Sequence, residues 1–284
     1  MQGITPSYLK VFLTFARNSL VRDMSFRFNF ALTCLSSMSW AVMNFALFKI
    51  VYRHTESIGV GTGWFEHEFF VFLGTIWIIN ACIQALFMTN VEEFSEMIRT
   101  GGLDFVLLKA IDTQFLISFP RINWAQIPNG LLGLALVIVS VRELMQQPDK
   151  VISIGVVEWG LYLFYVACGV TVMYSVMIAM ASTSIWLGRN QNLHTFWFYI
   201  TNFYRYPMEI YQKSGAGMAL WATFTFVIPI LVVSNVPARI LAQPLEQGWY
   251  SWQSLYAIFA AAASLLVSRA IFNWSLAGYR SASS

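Results

Sequence analysis

The side chains that could do chemistry are few in this chain, and they are scattered. Its three histidines, His54, His67 and His194, lie far apart, and no His-Glu-x-x-His run or paired-cysteine spacing occurs, so we expect no metal site. No Gly-x-x-x-x-Gly-Lys-Ser/Thr run is present for the phosphates of ATP. A membrane-embedded enzyme would need a cluster of acid, base or metal ligands that we cannot assemble from these residues. We therefore expect no catalytic residue and no cofactor in this chain.

Two features are candidates for lining a pathway. Glu158 is the one acidic residue well inside an apolar run, where a charge is costly unless it is paired or hydrated. It also lies within about two turns of the outer boundary, where water or Arg142 could reach it, and we favour this plainer interpretation. Met173, Met177 and Met180 recur at helical spacing, and flexible thioethers suit a surface that accepts varied apolar shapes. Such a stripe is more often ordinary packing.

The most ordered polar stretch is Asn90 to Arg121, between the second and third apolar runs. Its apolar and charged residues fall on opposite sides of a helix: Val91, Phe94 and Ile98 on one, and Glu92, Glu93, Glu96 and Arg99 on the other. Asn90 and Glu93 suit an N-terminal cap with its reciprocal partner, and Gly101 with Gly102 suits a C-terminal stop. The pattern predicts a short amphipathic helix that docks onto a cytosolic partner.

The elements that must position these residues are membrane spans. The chain is 57% hydrophobic and 11% charged, against about 25% charged in a soluble domain, and about 20 apolar residues cross a bilayer as a helix. Six apolar runs reach that length: Phe28 to Phe48, Phe69 to Met88, Ile122 to Val141, Val151 to Leu187, Met218 to Val236 and Trp252 to Trp274. We predict an all-α polytopic membrane protein with six transmembrane helices.

The basic residues set the predicted orientation. With a cytoplasmic N-terminus, twelve of the seventeen Lys and Arg residues fall inside, the usual positive-inside bias. We therefore expect a multi-pass protein of the cell (inner) membrane with both termini in the cytoplasm. The net charge of +3 is too small to indicate nucleic acid, and basic residues near span ends suit contact with membrane lipids.

The N-terminal segment predicts an interfacial helix. Tyr8, Leu9, Phe12, Phe15, Ala16 and Ser19 share one face, which we expect in the acyl boundary, with cations on the opposite face. In the last run Ala257, Ala260, Ala261 and Ser264 form a small-residue face suited to close helix contact, including contact across a dimer.

The fourth apolar run raises a difficulty, because 37 helical residues from Val151 to Leu187 would measure about 55 Å. The run must project from the bilayer or break. In one interpretation the aromatic stretch Leu193 to Phe203 lies at the cytoplasmic interface and Met218 to Val236 is the fifth span. In the other, Ile185 to Tyr204 crosses, and Met218 to Ile240 forms an outward-side re-entrant hairpin broken at Pro229 and Pro237. Charge slightly favours the first.

Several short motifs together resemble a known family. They run from Ile98 to Asp104 with Leu107-Leu108-Lys109, then Tyr204-Arg205-Tyr206-Pro207 with Ile210-Tyr211, then Val227-Ile228-Pro229, then Val236-Pro237-Ala238. Their order and spacing resemble the six-span permease subunits of ABC transporters of the type-2 (ABC-2) exporter family. Ala110 and Gln212 stand where that family commonly has proline, which affects local loop geometry only.

The resemblance implies a mechanism and a set of partners. Two permeases, in a homo- or heterodimer, would form the translocation pathway, and separate ABC ATPase subunits would bind ATP and Mg and dock on the cytoplasmic coupling helix. The implied docking residues are Glu92, Glu93, Glu96, Arg99, Gly101, Gly102 and Asp104. A channel or secondary transporter without an ATPase is the alternative, although we find neither the internal repeat nor the intramembrane charge expected of one.

The resulting division of the chain is a single permease domain, 1-284. It comprises an interfacial helix (1-27), spans 1 and 2 (28-88), a coupling loop (89-121), spans 3 and 4 (122-187), an aromatic and polar connector (188-215), and spans 5 and 6 (216-284).

Overall fold

The computed structural model describes residues 7–59, 62–147, 154–187, 193–243 and 251–279, and within these ranges the regular structure is helical. Five helices are long and apolar enough to span a membrane: Arg27–Tyr52, Glu66–Arg99, Trp124–Met145, Val156–Trp186 and Trp252–Ala277. A bent pair, Gly215–Val227 with Ile230–Ala242, gives a sixth if it counts as one span. The predicted all-α polytopic membrane fold is confirmed.

Thirteen α-helices lie within the described residues. They are α1 (Tyr8–Ser25), α2 (Arg27–Tyr52), α3 (Glu66–Ile83), α4 (Thr89–Arg99), α5 (Gly102–Leu107), α6 (Thr113–Ser118), α7 (Ile127–Met145), α8 (Val156–Ser182), α9 (Ser184–Leu187), α10 (Leu193–Phe203), α11 (Gly215–Ala222), α12 (Ile230–Ala242) and α13 (Trp252–Ala277). Single π-helical turns follow α3 at Gln84–Met88 and α11 at Thr223–Val227, and short 3-10 turns lie at Trp124–Gln126 and Met208–Lys213.

Helix α3 is the centre of the bundle, and α7 packs most closely on it. Where they cross, a Cβ added at Gly74 would lie 2.7 Å from the carbonyl oxygen of Gly133, and one added at Gly133 would lie 2.8 Å from that of Gly74. Two backbones therefore touch directly. In lipid, where no hydrophobic force drives helices together, small residues that permit such contact give the dispersion energy that holds them.

The bundle has two ends. The loop end is formed by α4, α5, α6 and residues 119–124. The far end is formed by residues 53–59 and 62–65, where the Trp64 carbonyl accepts from the Tyr52 hydroxyl (3.0 Å), and by the start of α13, where Gln253 accepts from Arg239 (3.1 Å). α2 runs from the loop end to the far end, and α3 returns.

The helix formed by the long fourth apolar run is shorter than the run and is interrupted before its end. Helix α8 begins at Val156 and ends at Ser182, and Thr183 separates it from α9. Residues 151–153, where the predicted span begins, lie outside the described part of the chain. At the loop end the hydroxyls of Ser95 and Ser184 are 2.9 Å apart, so α9 sits beside α4.

The bent pair α11 and α12 turns by 85°, and both of its outer ends lie at the far end. Before α11, Glu209 accepts from the Trp64 indole (2.8 Å) and pairs with Arg239 of α12. After α12, Gln243 donates to the Gly63 carbonyl (2.8 Å). The break falls at Pro229, whose ring removes a backbone donor.

This geometry is that of the hairpin interpretation, although the charge pattern slightly favours the other. The break predicted at Pro237 is wrong, because Pro237 lies inside α12. Tyr204, at the end of α10, accepts from Ser234 of α12 (3.0 Å), whereas α9 lies at the loop end. The chain therefore passes from one end to the other between α9 and Met208. Whether 188–215 crosses a membrane stays a prediction, since residues 188–192 are outside the described ranges.

Part of the predicted face of α1 packs on protein, while Leu9 on the same face is 68% exposed. Tyr8 and Phe12 make edge contacts with Phe115 and Phe119 at 5.0 and 5.6 Å between ring centroids. Ser19 is buried and accepts from the Ile122 N–H (3.0 Å). The rings of α1 therefore pack on Phe115 of α6 and on Phe119 directly after it, and whether the helix lies at the membrane interface stays a prediction.

The crossing of α3 and α7 gives a testable expectation for Gly133→Ala. The added methyl group meets a carbonyl that belongs to a rigid helix, so we expect a loss of about 1–3 kcal/mol in unfolding free energy, as in other overpacked cores. Gly160→Ala is the control, because nothing lies within 4 Å of its Cβ position, and alanine favours a helix by about 0.5–1 kcal/mol. Thermal unfolding in detergent would measure both, and equal melting temperatures would contradict the close contact.

Candidate functional site

The predicted coupling helix is α4, and it is continuous with α3. The π turn Gln84–Met88 carries the helix through, so Glu66–Arg99 forms one 34-residue rod of about 51 Å. A hydrocarbon core of about 30 Å cannot cover that length. The expected apolar face is confirmed, because Val91, Phe94 and Ile98 are buried, with Phe94 packed on Phe272 of α13 at 6.2 Å.

The N-terminal cap expected at Asn90 is wrong, since no helix begins there. Asn90 is instead 1% exposed and fastens the loop onto α4. Its amide nitrogen donates to the carbonyls of Ser118 (3.0 Å) and Arg121 (2.7 Å), and its side-chain oxygen accepts from the Arg121 N–H (2.9 Å). Glu93 pairs with the side chain of Arg121. Sequence could not show this, because the partners are backbone groups about thirty residues away.

The other side of α4 faces outward. Glu92 is exposed, and Glu96 and Arg99 form an exposed ion pair one turn apart. The chain turns at Gly101, whose φ of 73° lies in the left-handed region that favours glycine, and the predicted stop is confirmed there. Gly102 then begins α5, which holds Asp104 in its first turn.

Sequence reasoning missed two apolar residues in this region. Phe105 is 72% exposed and Leu108 is 83% exposed, and both lie just after the glycine turn. The signal that could have found them is their spacing, since they are three residues apart while Leu103 on another face of α5 is buried. Together with Glu92, Glu96, Arg99 and Asp104 they form what we call the docking surface.

A polar network joins the loop to two long helices. Asp112 caps α6 by accepting from the Phe115 N–H (3.0 Å) and pairs with Arg269 of α13. Arg269 also donates to Gln114 (2.9 Å), whose amide donates to the Tyr174 hydroxyl of α8 (2.9 Å). Although partial burial acts to raise it, the hydrogen bonds from Arg269 and Phe115 hold the pKa of Asp112 below its ordinary value.

A groove of about 510 Å³ lies between α8, α13 and the tip of the bent pair. Met180, Ile200 and Pro229 give it apolar walls, and Ser175 and Ser268 add hydroxyl groups. Met173 and Met177 are buried in the core and do not line this groove. Whether any of the three methionines meets a substrate stays a prediction.

Two other predicted sets of residues have structural roles. Glu158 lies in the first turn of α8, where it accepts from the Gly155 N–H (2.6 Å) and caps the helix. Ala257, Ala260 and Ala261 are buried within the chain, so this small-residue face serves contacts of α13 inside the subunit. Within the described ranges no three His, Cys, Asp or Glu side chains are close enough to hold a metal ion.

The role of Asn90 predicts the effect of Asn90→Ala. The buried carbonyl of Ser118 and the partly buried carbonyl of Arg121 would lose their side-chain donor, which costs about 1–3 kcal/mol of unfolding free energy. Amide hydrogen exchange across residues 113–124 should rise in this variant. Thr100→Ala removes an exposed bond to the Glu96 carbonyl in the same helix and should leave exchange unchanged. Unaltered protection in both variants would contradict the fastening role.

The lowered pKa of Asp112 predicts a pH dependence. Its pairing with Arg269 stabilises the fold above the ordinary pKa of 3.8, and this stabilisation is lost as pH falls through the lower folded-state pKa. Asp112→Asn keeps the cap on Phe115 and loses the ion pair, so it should cost about 0.5–1 kcal/mol at pH 7 for a partly exposed pair. The melting temperatures of the wild type and Asp112→Asn should converge towards pH 3. A difference in melting temperature that does not change with pH would contradict the ion pair of Asp112 with Arg269.

Comparison with known proteins identifies the family of the chain. No curated protein and no solved structure shows a significant match to the chain. One family model matches residues 38–283, and its description is ABC-2 family transporter protein. This match spans all the candidate membrane helices except the beginning of α2, and it includes α4, the docking surface and the bent pair. The chain therefore belongs to the ABC-2 family of transporter membrane proteins.

Proposed function

We propose that this protein is the permease subunit of an ATP-driven exporter, that two permeases form the pathway, and that separate ATPase subunits dock at the loop end. The observation that carries this proposal is the docking surface, a mixed charged and apolar patch on the end of a rod longer than a bilayer is thick. A rod of this kind transmits a push along its axis without bending. ATP and Mg would be bound entirely by the partner ATPase.

The chemistry of the docking surface suits a cleft on a folded protein. Phe105 and Leu108 supply apolar side chains whose burial would favour association, and the surrounding carboxylates and Arg99 would set orientation and association rate. Leaving such apolar groups in water has no structural benefit to the subunit itself, since neither one contributes to its core. An ATPase with an apolar cleft rimmed by basic residues is the partner that fits.

The polar network connects the loop that carries the docking surface to the membrane helices α8 and α13. Asp112 and Gln114 hold Arg269 of α13, Gln114 also holds Tyr174 of α8, and Ser95 meets Ser184 directly after α8. Because α8 and α13 form the walls of the groove, a displacement of the loop would move both walls together. This arrangement supports coupling between partner closure and the width of the groove.

The loop end would face the cytoplasm, because it carries the larger share of basic residues. Among the described residues, those placed there are Lys10, Arg17, Arg22, Arg27, Arg99, Lys109, Arg121 and Arg269. Lys49, Arg53, Arg142, Lys213 and Arg239 belong to the far end, and Arg205 lies between the ends, 4.8 Å from the ring centroid of Trp40 in α2. The orientation predicted from the sequence counts Arg205 and Lys213 as cytoplasmic. Positive charge is retained on the cytoplasmic side during insertion. A cytoplasmic ATPase could then reach the docking surface.

The proposal predicts that Glu92→Ala with Glu96→Ala, and separately Phe105→Ala, weaken ATPase binding. Affinity-tagged full-length permease would be purified from its native membranes, and the co-purified ATP-binding cassette subunit would be quantified by mass spectrometry and by vanadate-sensitive ATP hydrolysis. We expect recovery to fall about tenfold for Phe105→Ala, the effect of losing a buried aromatic anchor. The glutamate variant should lose less at high salt than at low salt.

Matched controls exist at other exposed positions. Glu143→Ala changes an exposed carboxylate at the far end of α7, and Phe259→Ala changes an exposed phenylalanine on α13. Both should keep full ATPase recovery. Equal recovery from the docking variants and the controls would reject the docking surface, and transport by the reconstituted chain without any ATPase would reject the proposed function as a whole.

A further inference from the structure

A second polar cavity lies at the loop end, away from the docking surface. It measures about 380 Å³ and sits between the end of α1, the start of α2 and the segment that leads into α7. Its lining mixes polar side chains, from Asn29, Thr33, Thr89 and Asn123, with apolar ones, from Phe26, Phe30 and Ile122. Nothing in the proposed coupling mechanism uses these residues.

Two guanidinium groups reach this cavity, those of Arg22 and Arg121. They lie near enough to repel, since burial and then the positive charge of Arg22 both lower the pKa of Arg121. Asp23 also lines the cavity, 3.9 Å from Arg22, and Glu93 pairs with Arg121 but is not part of the lining. The lining itself carries a net charge of +1, and a phosphate bound there would share Arg121 with Glu93.

Part of the cavity lining is apolar. Phe26 and Phe30 line the cavity directly, and Phe26 is 70% exposed. Only Ala41 of α2 is buried, so the surface of this helix is available to hydrocarbon. A ligand with an anionic head and apolar tails would place its head against the arginines and its tails against the apolar side chains.

We propose that this cavity binds the phosphate group of an acidic phospholipid from the leaflet at the loop end, with its acyl chains along α2. The ligand chemistry that the guanidinium groups recognise is a phosphate, which they bind through charge-assisted hydrogen bonds. A lipid is favoured over free phosphate as its source because Phe26, Phe30 and Ile122 put apolar surface in the same cavity as the arginines. Asp23, Asn29 and Thr33 can accept from or donate to headgroup hydroxyls, which makes phosphatidylglycerol a suitable probe.

Two variants test this site without breaking contacts in the core. Arg22→Gln removes one exposed cation. Asn29→Asp puts a negative charge into the cavity while favouring the fold, because it lies in the first turn of α2, where no side chain caps the helix and a carboxylate stabilises the helix dipole. Arg27→Gln is the matched control, since this neighbouring arginine does not line the cavity.

The experiment uses the delipidated full chain in neutral detergent and titrates phosphatidylglycerol, phosphatidylcholine or inorganic phosphate. Melting temperature and native mass spectrometry report binding. We expect phosphatidylglycerol to stabilise the wild type and Arg27→Gln equally, with about tenfold weaker apparent affinity in Arg22→Gln and Asn29→Asp, the effect of one charge-assisted bond. Phosphatidylcholine and inorganic phosphate should give much smaller shifts.

The result that would overturn the site is equal affinity for phosphatidylglycerol in all four proteins. Inorganic phosphate that stabilises as well as the lipid, with the same loss in Arg22→Gln, would overturn the lipid as the source. Neither outcome depends on an ATPase, so this test is separate from that of the proposed function.

Discussion

Asn90 is the side chain on which the loop end depends. It lies on a helix that leaves the bundle core, and its amide uses both its donor and acceptor groups on the backbone of the returning chain. Because these groups are buried, their loss would leave polar atoms without partners in a medium where that is costly. Its bonds to Ser118 and Arg121 hold α6 and the segment before α7 in one position. This position allows Asp112, Gln114 and Arg121 to make their contacts with other helices.

The rod that carries Asn90 is held by a different kind of interaction. α3 is buried over most of its length, and α7 approaches it at two facing glycines so closely that each carbonyl touches the other backbone. A similar contact joins Gly169 of α8 to the Val233 carbonyl of α12, 2.8 Å from the added Cβ position. Such contacts tie α3 to α7 and α8 to α12, so each pair would move as a unit.

The sequence predicts what depends on local periodicity and misses what depends on distant partners. Apolar length identifies the spans, and the faces of α1 and α4 follow from helical spacing because burial acts on every third or fourth residue. The π turn before α4 has no such signal, so the sequence predicts a separate helix capped at Asn90 where the structure has one continuous helix. The hairpin of α11 and α12 was left as one of two alternatives, since only tertiary contacts such as Glu209 with Trp64 and Arg239 place its ends.

Arg121 connects the two sites that we propose at the loop end. Its backbone is held by Asn90, its side chain pairs with Glu93 of α4, and the same side chain lines the phosphate cavity. A phosphate that draws this guanidinium away from Glu93 would change the charge of α4 next to the docking surface. Linkage then requires that the effect be reciprocal, so the lipid would alter the affinity for an ATPase by the same factor as the ATPase alters the affinity for the lipid.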